Sequence, residues 1–552
     1  MGYMGLVKNP RASKDTFLQM LHCNATTINT PLESNGLYLA LKAVELNSDL
    51  QILNNAAVQF DTDLPEFRTM SGVTIHKDGR TVTAPVLMWV KALDLLLDRL
   101  KIAGVDFSRV ASLSGTAQQH GSVYWQKGVH QKLQSLQPNR FLHDQLRDAF
   151  SLADSPIWQD SSTTEQCQQL ENAVGGPEKL AEITGSRAYE RFTGSQIAKV
   201  YQTKKAVYNN TERISLISSF ACSLFVGDYA PIDYADASGM NMMDLKTKEW
   251  SPQILQAVAP DVEAKLGTPV PSYTNIGPVS KFYVERFGFN PQCRVIAFTG
   301  DNPASLIGMR LKTGDIAVSL GTSDTLFLSL RQPKLILEGH ILSSPIDKDG
   351  YMALLCFKNG SLTRERIRDS CVEGSWKLFN ELLNSTPRGN FGNMGVYYDI
   401  QEIIPSVKGD YRVNKANVQL SKFNSKEIEV RALIEGQFLG KRAYAEDLGV
   451  SLGENTRIFA TGGASNNSAI LQVLADVFNS PVYTLEASNS AMLGSAYQAK
   501  YGLVRSDTSF AEMTQNLPPP VLACEPSRDA NEIYAPMVER YRALIKNITN
   551  QK

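Results

Sequence analysis

Two short segments of this sequence share a pattern that constrains the fold more than any other feature. SGTAQQHGS (114–122) and TGGASNNSA (461–469) each follow a run of apolar and β-branched residues that predicts a buried strand. In both segments glycine stands at the turn, and small residues and a pair of side-chain amides follow. The same pattern at corresponding points of two halves indicates a duplicated fold, with chance similarity as the alternative.

Strand patterns alternate with helix patterns through most of the chain. A helix is predicted at 84–103, where Thr83 is available as a cap, Pro85 suits the first turn and Gly104 ends the helix. The other predicted elements are strands at 36–46, 50–60, 109–115, 456–463 and 481–486, helices at 427–448, 464–479 and 490–502, a helix-rich stretch at 160–225 and a strand-rich stretch at 292–328. This alternation predicts an α/β chain, and 552 residues suffice for two or three domains.

The charge balance excludes several classes of partner. Lys and Arg total 55 against 56 Asp and Glu, so the chain has no overall basic field to attract nucleic acid or acidic lipid. The longest apolar run, Val86–Leu97, contains Lys91 and Asp94 and is shorter than the ~18 residues that a membrane span needs. We therefore expect neither nucleic acid nor a membrane as a partner.

The cysteines and the first residues bear on the compartment. Seven cysteines without metal-binding spacing predict buried, reduced thiols. Residues 1–35 lack the apolar core of a secretory signal and read as a poorly ordered extension. The cytoplasm is the expected location, and a mitochondrial-type presequence is the alternative.

The segment VSLGTSDT (318–325) predicts a strand, a turn and a second strand. Gly321 lets the backbone approach a ligand, and Thr322 and Ser323 add hydroxyl groups, so the turn could hold phosphate oxygens. The segment lacks the Gly-Lys-Ser/Thr ending of a Walker loop. An ordinary hairpin turn is the alternative.

The segment IFATGGASNN (458–467) predicts a second ligand-binding turn. Gly462 and Gly463 offer a flat surface on which a base or a ribose could lie. Asn466 either contacts such a ligand or caps the helix that follows.

Two further segments place polar side chains directly after predicted strands. In TGDNPAS (299–305), Asp301 is a good general base for a hydroxyl group, and the alternative is that Asp301 or Asn302 caps a helix that starts near Pro303. Gln118-Gln119-His120 offers three polar side chains that suit a polyol, with a purely structural histidine as the alternative.

Seven segments in this order resemble the FGGY family of carbohydrate kinases. The resemblance runs from about residue 50 to about residue 540. It is carried by SGTAQQHGSVYW (114–125), SPIWQDSSTTEQC (155–167), GSRAYERFTGSQIAK (185–199), YADASGMNMMDL (234–245), FTGDNPASL (298–306), SLGTSDTLFL (319–328) and ATGGASNN (460–467).

The resemblance implies an α/β fold of two actin-like (ribonuclease H-like) ATPase domains with an interdomain cleft. The implied ranges are a sugar-binding N-terminal domain at 36–300 and an ATP-binding C-terminal domain at 301–540, with an extension at 1–35 and a tail at 541–552. The implied substrates are a small sugar and ATP, with Mg²⁺ bound to the ATP. The segments GTAQQHGS and RAYERFTG favour D-xylulose as the sugar and D-xylulose 5-phosphate as the product.

The resemblance also assigns roles to single residues. It makes Asp301 the general base that accepts the proton of the primary hydroxyl group of the sugar. The other implied contacts are His120, Arg191, Asp301 and Asn302 with the sugar, Trp376, Gly462, Gly463 and Asn466 with the adenosine part of ATP, and Gly321 and Thr322 with its phosphates.

One family motif is missing. The family carries a first phosphate-binding hairpin near its N-terminus, roughly Gly-x-Asp-x-Ser/Thr-Thr-Gln between two strands, whereas GLYLA (36–40) here runs directly into LKAVELNSDL (41–50). The sequence therefore predicts one strand where the family has two. Three consequences stay open: a sugar-binding protein without catalysis, a defective splice or gene-model variant, or a weakened kinase that relies on the second hairpin.

Overall fold

The structure is a computed structural model that describes residues 16–22, 40–485 and 490–550. The chain forms two compact units. The first comprises the described residues of Met1–Arg310, Ser343–Lys348 and Asn489–Leu517, and the second those of Leu311–Leu342, Asp349–Ser488 and Pro518–Lys552. The first unit thus continues ten residues beyond the expected limit at residue 300 and also takes in two later segments.

The strands are β1 (Thr16–His22), β2 (Ala40–Leu46), β3 (Ile52–Gln59), β4 (Thr74–Ile75), β5 (Val82–Pro85), β6 (Val110–Ala117), β7 (Ser122–Gln126), β8 (Asp154–Pro156), β9 (Thr211–Leu216), β10 (Asn275–Pro278), β11 (Arg294–Ile296), β12 (Thr299–Gly300), β13 (Ile316–Leu320), β14 (Asp324–Leu330), β15 (His340–Ser343), β16 (Tyr351–Phe357), β17 (Met394–Tyr398), β18 (Gly409–Val413), β19 (Gln419–Leu420), β20 (Ile458–Thr461), β21 (Val482–Thr484) and β22 (Val521–Cys524).

The α-helices are α1 (Phe60–Asp63), α2 (Val86–Ile102), α3 (Val129–Gln134), α4 (Leu142–Gln145), α5 (Thr164–Val174), α6 (Pro177–Thr184), α7 (Thr193–Thr203), α8 (Lys205–Asn209), α9 (Ile217–Val226), α10 (Tyr234–Ala237), α11 (Pro252–Val258), α12 (Val262–Leu266), α13 (Lys281–Phe287), α14 (Asp301–Gly308), α15 (Ser361–Val372), α16 (Trp376–Ser385), α17 (Lys426–Asp447), α18 (Ser468–Phe478), α19 (Ser490–Val504), α20 (Phe510–Met513) and α21 (Ala530–Asn550).

The main sheets of the two units repeat one strand arrangement. In the first unit the order β3-β2-β1-β6-β11-β10 pairs successive strands antiparallel, antiparallel, parallel, parallel and antiparallel. In the second unit β16-β14-β13-β20-β21-β22 follows the same sequence of pairings. Strands β6 and β20, which carry the two matching segments of the sequence, hold equivalent positions. The predicted duplication is therefore confirmed.

Strand β1 corrects two expectations about the N-terminus. Residues 16–22 lie in the range expected to be a poorly ordered extension, yet they form a central strand, antiparallel to β2 and parallel to β6. The single strand predicted for this part of the sheet is therefore wrong, because β1 supplies the second. Phe17 and Leu18 are buried, and without β1 the backbone groups of β2 and β6 that face it would lack partners. Residues 1–15 and 23–39 lie outside the described residues.

Most other predicted elements are present with shifted ends. Helix α2 begins after Pro85 rather than before it, and no side chain caps it, so Thr83 is not its cap. Gly104 and Gly449 follow the C-terminal caps of their helices, as predicted. The tail expected at 541–552 is helical up to residue 550, because helix α21 ends only at Asn550.

The described cysteines agree with the prediction of reduced thiols. Cys167, Cys222, Cys293 and Cys371 are buried, Cys356 and Cys524 are half-buried, and none of these six forms a disulfide. Cys23 lies outside the described residues. Within residues 16–22, 40–485 and 490–550, no helix combines the length and apolar character that crossing a membrane requires.

Helices α14 and α19 pack backbone to backbone although α14 ends at Gly308 and α19 begins only at Ser490. A Cβ atom added at Gly308 would lie 1.9 Å from the carbonyl oxygen of Ser490, and one added at Gly494 would lie 1.8 Å from that of Ala304. Helix α19 also packs against β1 and β6, and Ser112 on β6 donates a hydrogen bond to the carbonyl oxygen of Ala499 at 2.7 Å. Helix α19 therefore fixes α14, and with it Asp301, against the first sheet.

We expect Gly494→Ala to destabilise the protein, because two backbones in contact leave no room for a methyl group. Overpacking of this kind costs about 1–3 kcal/mol. The measurement is the melting temperature by calorimetry. The matched control is Gly463→Ala, where an added Cβ would meet nothing within 4 Å. Equal melting temperatures for the two variants would contradict the close packing of α14 and α19.

Candidate active site

Two strand ends bring the polar segments of the first unit together. Strand β12 pairs parallel to the end of β6, with Thr299 opposite Thr116 and Gly300 opposite Ala117. Because the carboxyl ends of parallel strands meet at one edge, Gln118-Gln119-His120 and Asp301 emerge side by side. A Cβ atom on Gly300 would lie 2.4 Å from Cγ of Gln119, so the two segments are in contact.

Asp301 is the first residue of α14 and is buried. Its Oδ1 accepts a hydrogen bond from the backbone N–H of Asn302 at 2.9 Å, and the Nδ2 of Asn302 donates to Oε1 of Gln119 at 2.9 Å. Burial raises the pKa of Asp301 to about 7, against the opposing effect of backbone hydrogen bonds from Asn302 and Gln119. Gly300 is the residue that precedes the helix and caps it. Neither Asp301 nor Asn302 is therefore the N-cap, and Asp301 can gain or lose a proton near neutral pH.

Two more buried carboxyl groups lie beside this site, and the sequence analysis did not identify them. Asp236 Oδ1 accepts from Nε2 of Gln119 at 3.4 Å and its Oδ2 accepts from Ser218 at 2.5 Å. Asp233 Oδ2 accepts from Thr299 at 2.8 Å. Asp236 belongs to YADASGMNMMDL (234–245), a segment quoted for the resemblance, and that was its only signal; Asp233 directly precedes that segment.

Burial raises the pKa of both extra carboxyl groups. The pKa of Asp233 rises to about 6, although the hydroxyl groups of Ser272 and Thr299 oppose the rise. The pKa of Asp236 lies well above its ordinary value because of burial and then because of the negative charges of Asp233 and Asp301. Asp301 thus shares its surroundings with groups that resist a further negative charge.

His120 is held as a neutral ring with a defined tautomer. Its ring stacks on Phe192 with 4.5 Å between the ring centroids. Burial and the charge of Arg191 lower its pKa to about 3. Its Nδ1 lies 2.9 Å from the carbonyl oxygen of Gly239, and a carbonyl group only accepts, so Nδ1 carries the hydrogen. Nε2 is then an acceptor, ready for a hydroxyl group that donates.

Arg191 belongs to the same group of side chains. Its guanidinium carbon lies 5.3 Å from the centre of the Tyr189 ring and 5.8 Å from that of Phe192. Phe192 also stacks on His120, and Gln119 accepts a hydrogen bond from Asn302. The four residues predicted to contact a sugar therefore lie around one edge of the first sheet: His120, Arg191, Asp301 and Asn302.

The glycine turns of the second unit meet at an equivalent edge. Strand β13 pairs parallel to β20, with Ser319 opposite Thr461, so Gly321 and Gly462 follow neighbouring strand ends. Gly462 has φ +83°, and a Cβ atom there would lie 2.8 Å from the carbonyl oxygen of Leu320. Glycine is therefore required at 462 both for the backbone conformation and for the close approach. Thr322 and Gly463 are exposed beside this contact.

Asn467, and not Asn466, caps the helix that follows this turn. Asn467 caps α18, since its Oδ1 accepts from the backbone N–H groups of Ala469 and Ile470. Asn466 is exposed and does not cap the helix. The capping interpretation of Asn466 is therefore wrong, and the ligand interpretation stays a prediction.

Trp376 lies close to the same turn through helix α16. Asn467 donates to Oδ1 of Asn380 at 2.9 Å, and Trp376 lies one turn before Asn380, on the same face of α16. The Trp376 ring is 36% exposed and Arg368 lies 4.7 Å from its centre. An exposed aromatic ring can pack against a planar ligand.

The described residues contain no group of three or more His, Cys, Asp or Glu side chains arranged to hold a metal ion. The first unit gathers a proton acceptor and several hydrogen-bonding side chains at one sheet edge, and the second unit has two glycine-lined turns at its own sheet edge. A positioned proton acceptor suits transfer of a group to a hydroxyl.

Comparison with known proteins gives consistent matches. Residues 147–308 match the N-terminal domain, and residues 316–503 the C-terminal domain, of the FGGY family of carbohydrate kinases. Xylulose kinase of Rattus norvegicus is 54% identical over 512 residues, which cover 93% of this chain and 95% of the rat protein. Xylulose kinase of Mus musculus is 55% identical over 509 residues, 92% of each chain.

A solved structure shares the fold. The xylulose kinase of Rhodospirillum rubrum superposes with a TM-score of 0.76 at 15% identity, covering 97% of this chain and 99% of that one. The chain therefore has the same α/β fold as the solved Rhodospirillum rubrum structure.

We expect Asp301→Asn to stabilise the protein at pH 8 and to have little effect at pH 4. Between the ordinary carboxyl pKa near 4 and the folded value of about 7, the folded state holds a proton that the unfolded state has lost. Wild-type stability therefore falls as pH rises through this window, by about 1.4 kcal/mol per unit, and the amide escapes that loss.

The measurement is the melting temperature of both proteins from pH 4 to pH 8. Asp148→Asn, at an exposed position, is the matched control and should show no such divergence. A constant difference between Asp301→Asn and wild type at every pH would contradict the raised pKa of Asp301.

Proposed function

The chain belongs to the FGGY family of carbohydrate kinases, and we propose that it transfers the γ-phosphoryl group of ATP to D-xylulose, giving D-xylulose 5-phosphate and ADP. The choice of D-xylulose rests on the two mammalian xylulose kinases, which match more than nine-tenths of the chain. The single structural observation that carries the proposal is the buried carboxyl group of Asp301, with a pKa of about 7, at the sheet edge among hydrogen-bonding side chains.

The first unit supplies the groups for the sugar. Ionised Asp301 accepts the proton of the primary hydroxyl group while the hydroxyl oxygen forms its bond to the γ-phosphorus. A positioned base of this kind contributes about 10²–10⁴-fold to the rate. Neutral His120 accepts a hydrogen bond from a second hydroxyl at Nε2, and Arg191 and Asn302 donate to further sugar oxygens.

The second unit supplies the groups for the nucleotide. The backbone of Gly321 and Thr322 lies toward the phosphates, and Gly462, Gly463, Asn466 and Trp376 surround the adenosine portion. Support comes from the exposure of Thr322, Gly463 and Asn466 beside the contact of Gly462 with Leu320. Mg²⁺ would arrive with the ATP and would supply charge neutralisation. We place the reaction in the cytoplasm, on the sequence grounds given above.

A second function is favoured by one observation. The Asp, Ser/Thr-Thr and Gln of the first phosphate-binding hairpin are missing from the sequence at 36–50, and residues 1–35 contain no such motif either. By strand order that hairpin corresponds to the connection between β1 and β2, residues 23–39, which lies outside the described residues. A protein that binds the pentulose without catalysis is the alternative. It predicts that D-xylulose raises the melting temperature while ATP adds little.

The deciding experiment is ADP release by the purified chain with MgATP, with and without D-xylulose. We expect sugar-dependent turnover, and kinases usually turn over at about 1–100 s⁻¹. Asp301→Asn should lower kcat by about 10²–10⁴-fold, and Asp148→Asn should not. No turnover in a folded sample that still binds D-xylulose would establish the non-catalytic alternative, and normal turnover of Asp301→Asn would refute the assigned base.

The pH dependence of the same assay gives an independent check. Because the base must be ionised, kcat/KM for the sugar should fall tenfold per pH unit below an apparent pKa near 7, which is the folded value of Asp301. A flat profile from pH 5.5 to pH 8 would contradict the role of Asp301.

Gly463→Val should weaken nucleotide binding without affecting the fold. A Cβ atom added at this exposed glycine meets nothing within 4 Å apart from its chain neighbours, so the side chain would extend into the space assigned to adenosine. We expect KM for ATP to rise about tenfold, with KM for D-xylulose and the melting temperature unchanged. An unchanged KM for ATP would remove Gly463 from the nucleotide site.

A further inference from the structure

A buried cluster of charges lies directly beneath the turn between β13 and β14. Asp324, the first residue of β14, is fully buried and binds two cations. Its carboxylate oxygens lie 2.9 and 3.0 Å from the guanidinium nitrogens of Arg364, and Oδ2 also lies 2.9 Å from Nζ of Lys441. Arg364 and Lys441 are buried as well.

The carboxylate of this cluster stays ionised. Burial acts to raise the pKa of Asp324, but the positive charges of Lys441 and Arg364 outweigh it and the pKa is lowered. Buried ion pairs give little net stability compared with apolar side chains of similar size. Net stabilisation of the fold therefore does not explain why the cluster lies beneath this turn.

The cluster holds one peptide group of the turn. The carbonyl oxygen of Gly321 accepts from the backbone N–H of Ser361 at 2.8 Å and from Nη2 of Arg364 at 3.3 Å. In a trans peptide the carbonyl and the following N–H point in opposite directions. With the Gly321 carbonyl drawn toward Arg364, the N–H of Thr322 points away from the cluster, and Thr322 is exposed.

Two helices anchor the cations. Gly360 caps α15, and a Cβ atom there would lie 2.7 Å from the carbonyl oxygens of both Gly321 and Thr322, so the helix starts in contact with the turn. On α17, Gln437 accepts from Nη1 of Arg364 at 3.0 Å and donates to the carbonyl oxygen of Asn359 at 2.9 Å. Lys441 lies one turn further along α17. The cluster therefore ties both helices to the turn.

We propose that Arg364, held by Asp324 and Lys441, is a positioning residue that orients the Gly321–Thr322 peptide so that its N–H faces the phosphate groups of the nucleotide. The proposal rests on the proposed function, which places phosphates at this turn. It adds three residues that act through the backbone of the turn without contacting the nucleotide. Preorganised donors of this kind act because they need no rearrangement when the anion arrives.

The test is Arg364→Lys, which keeps the positive charge and removes the paired geometry and the bond to Gly321. We expect the dissociation constant for ADP, measured by titration calorimetry, and KM for ATP to rise about tenfold. KM for D-xylulose should stay within twofold. A purely structural role would not separate the two substrates in this way.

Arg431→Lys is the matched control. Arg431 is a buried arginine of the same unit that pairs with Glu435 at 3.0 Å and donates to Thr386 at 2.9 Å, and neither partner belongs to the turn. This variant should lose comparable thermal stability and keep its affinity for ADP. Equal loss of ADP affinity in both variants, or unchanged affinity in Arg364→Lys, would overturn the proposal.

Gly360→Ala tests the same turn without removing a charged side chain, because its methyl group would press on the carbonyl oxygens of Gly321 and Thr322 and on Oδ1 of Asp324. We expect the same selective loss of ADP affinity. If Arg364→Lys does not fold, unchanged ADP affinity in Gly360→Ala overturns the proposal.

The ADP titration also separates this proposal from the proposed function, because ADP binding needs no turnover. Normal ADP binding without sugar-dependent turnover refutes the proposed function alone. Wild type that does not bind ADP refutes both.

Discussion

The parallel pairing at the centre of each sheet is the constraint on which the rest of the structure depends. Parallel strands point their carboxyl ends to one edge, so whatever follows them in sequence is gathered there. In the first unit β6 and β12 deliver Gln119, His120 and Asp301 to one edge. In the second unit β13 and β20 deliver Gly321 and Gly462. Segments far apart in the chain are neighbours because of this pairing, before any contact between side chains is made.

Asp324 of the second unit is buried in the opposite way to three aspartates of the first. In the first, Asp233, Asp236 and Asp301 are buried among hydroxyl and amide groups without a paired cation in any described contact, and burial raises the pKa of each. In the second, Asp324 lies between two cations and its pKa is lowered. The first arrangement creates a group that exchanges a proton near neutral pH. The second creates a permanently charged anchor for the backbone.

Local sequence signals were enough for much of the fold and for part of the site. Glycine after a strand or a helix marked the turn at 321–323 and the ends at Gly104 and Gly449, because a positive φ or a close approach leaves glycine as the usual choice. Asp301 was recognised because it follows a strand directly. Strand β1 was missed because Phe17 and Leu18 are adjacent and both buried, which removes the alternation that identifies a half-exposed strand.

Long-range contacts explain what local signals could not reveal. Asp236 accepts a hydrogen bond from Gln119, which lies 117 positions earlier in the sequence. Lys441 forms an ion pair with Asp324, which also lies 117 positions earlier. Their side chains belong to segments that look like ordinary helices and caps, and only the folded chain shows that they share a partner. The assignment of the cap to Asn466 instead of Asn467 failed by a single residue, because a short 3₁₀ turn precedes α18.

Helix α19 has a consequence for how the protein is made. It packs on β1, β6 and α14 of the first unit, yet it lies at residues 490–504, after nearly all of the second unit has been translated. Domains usually fold in the order in which the ribosome releases them. Here the sheet that begins the chain cannot acquire its last covering helix until more than 500 residues have been synthesised. The first unit is therefore completed only after most of the second unit has been synthesised, and only residues 518–552 of the second unit follow it.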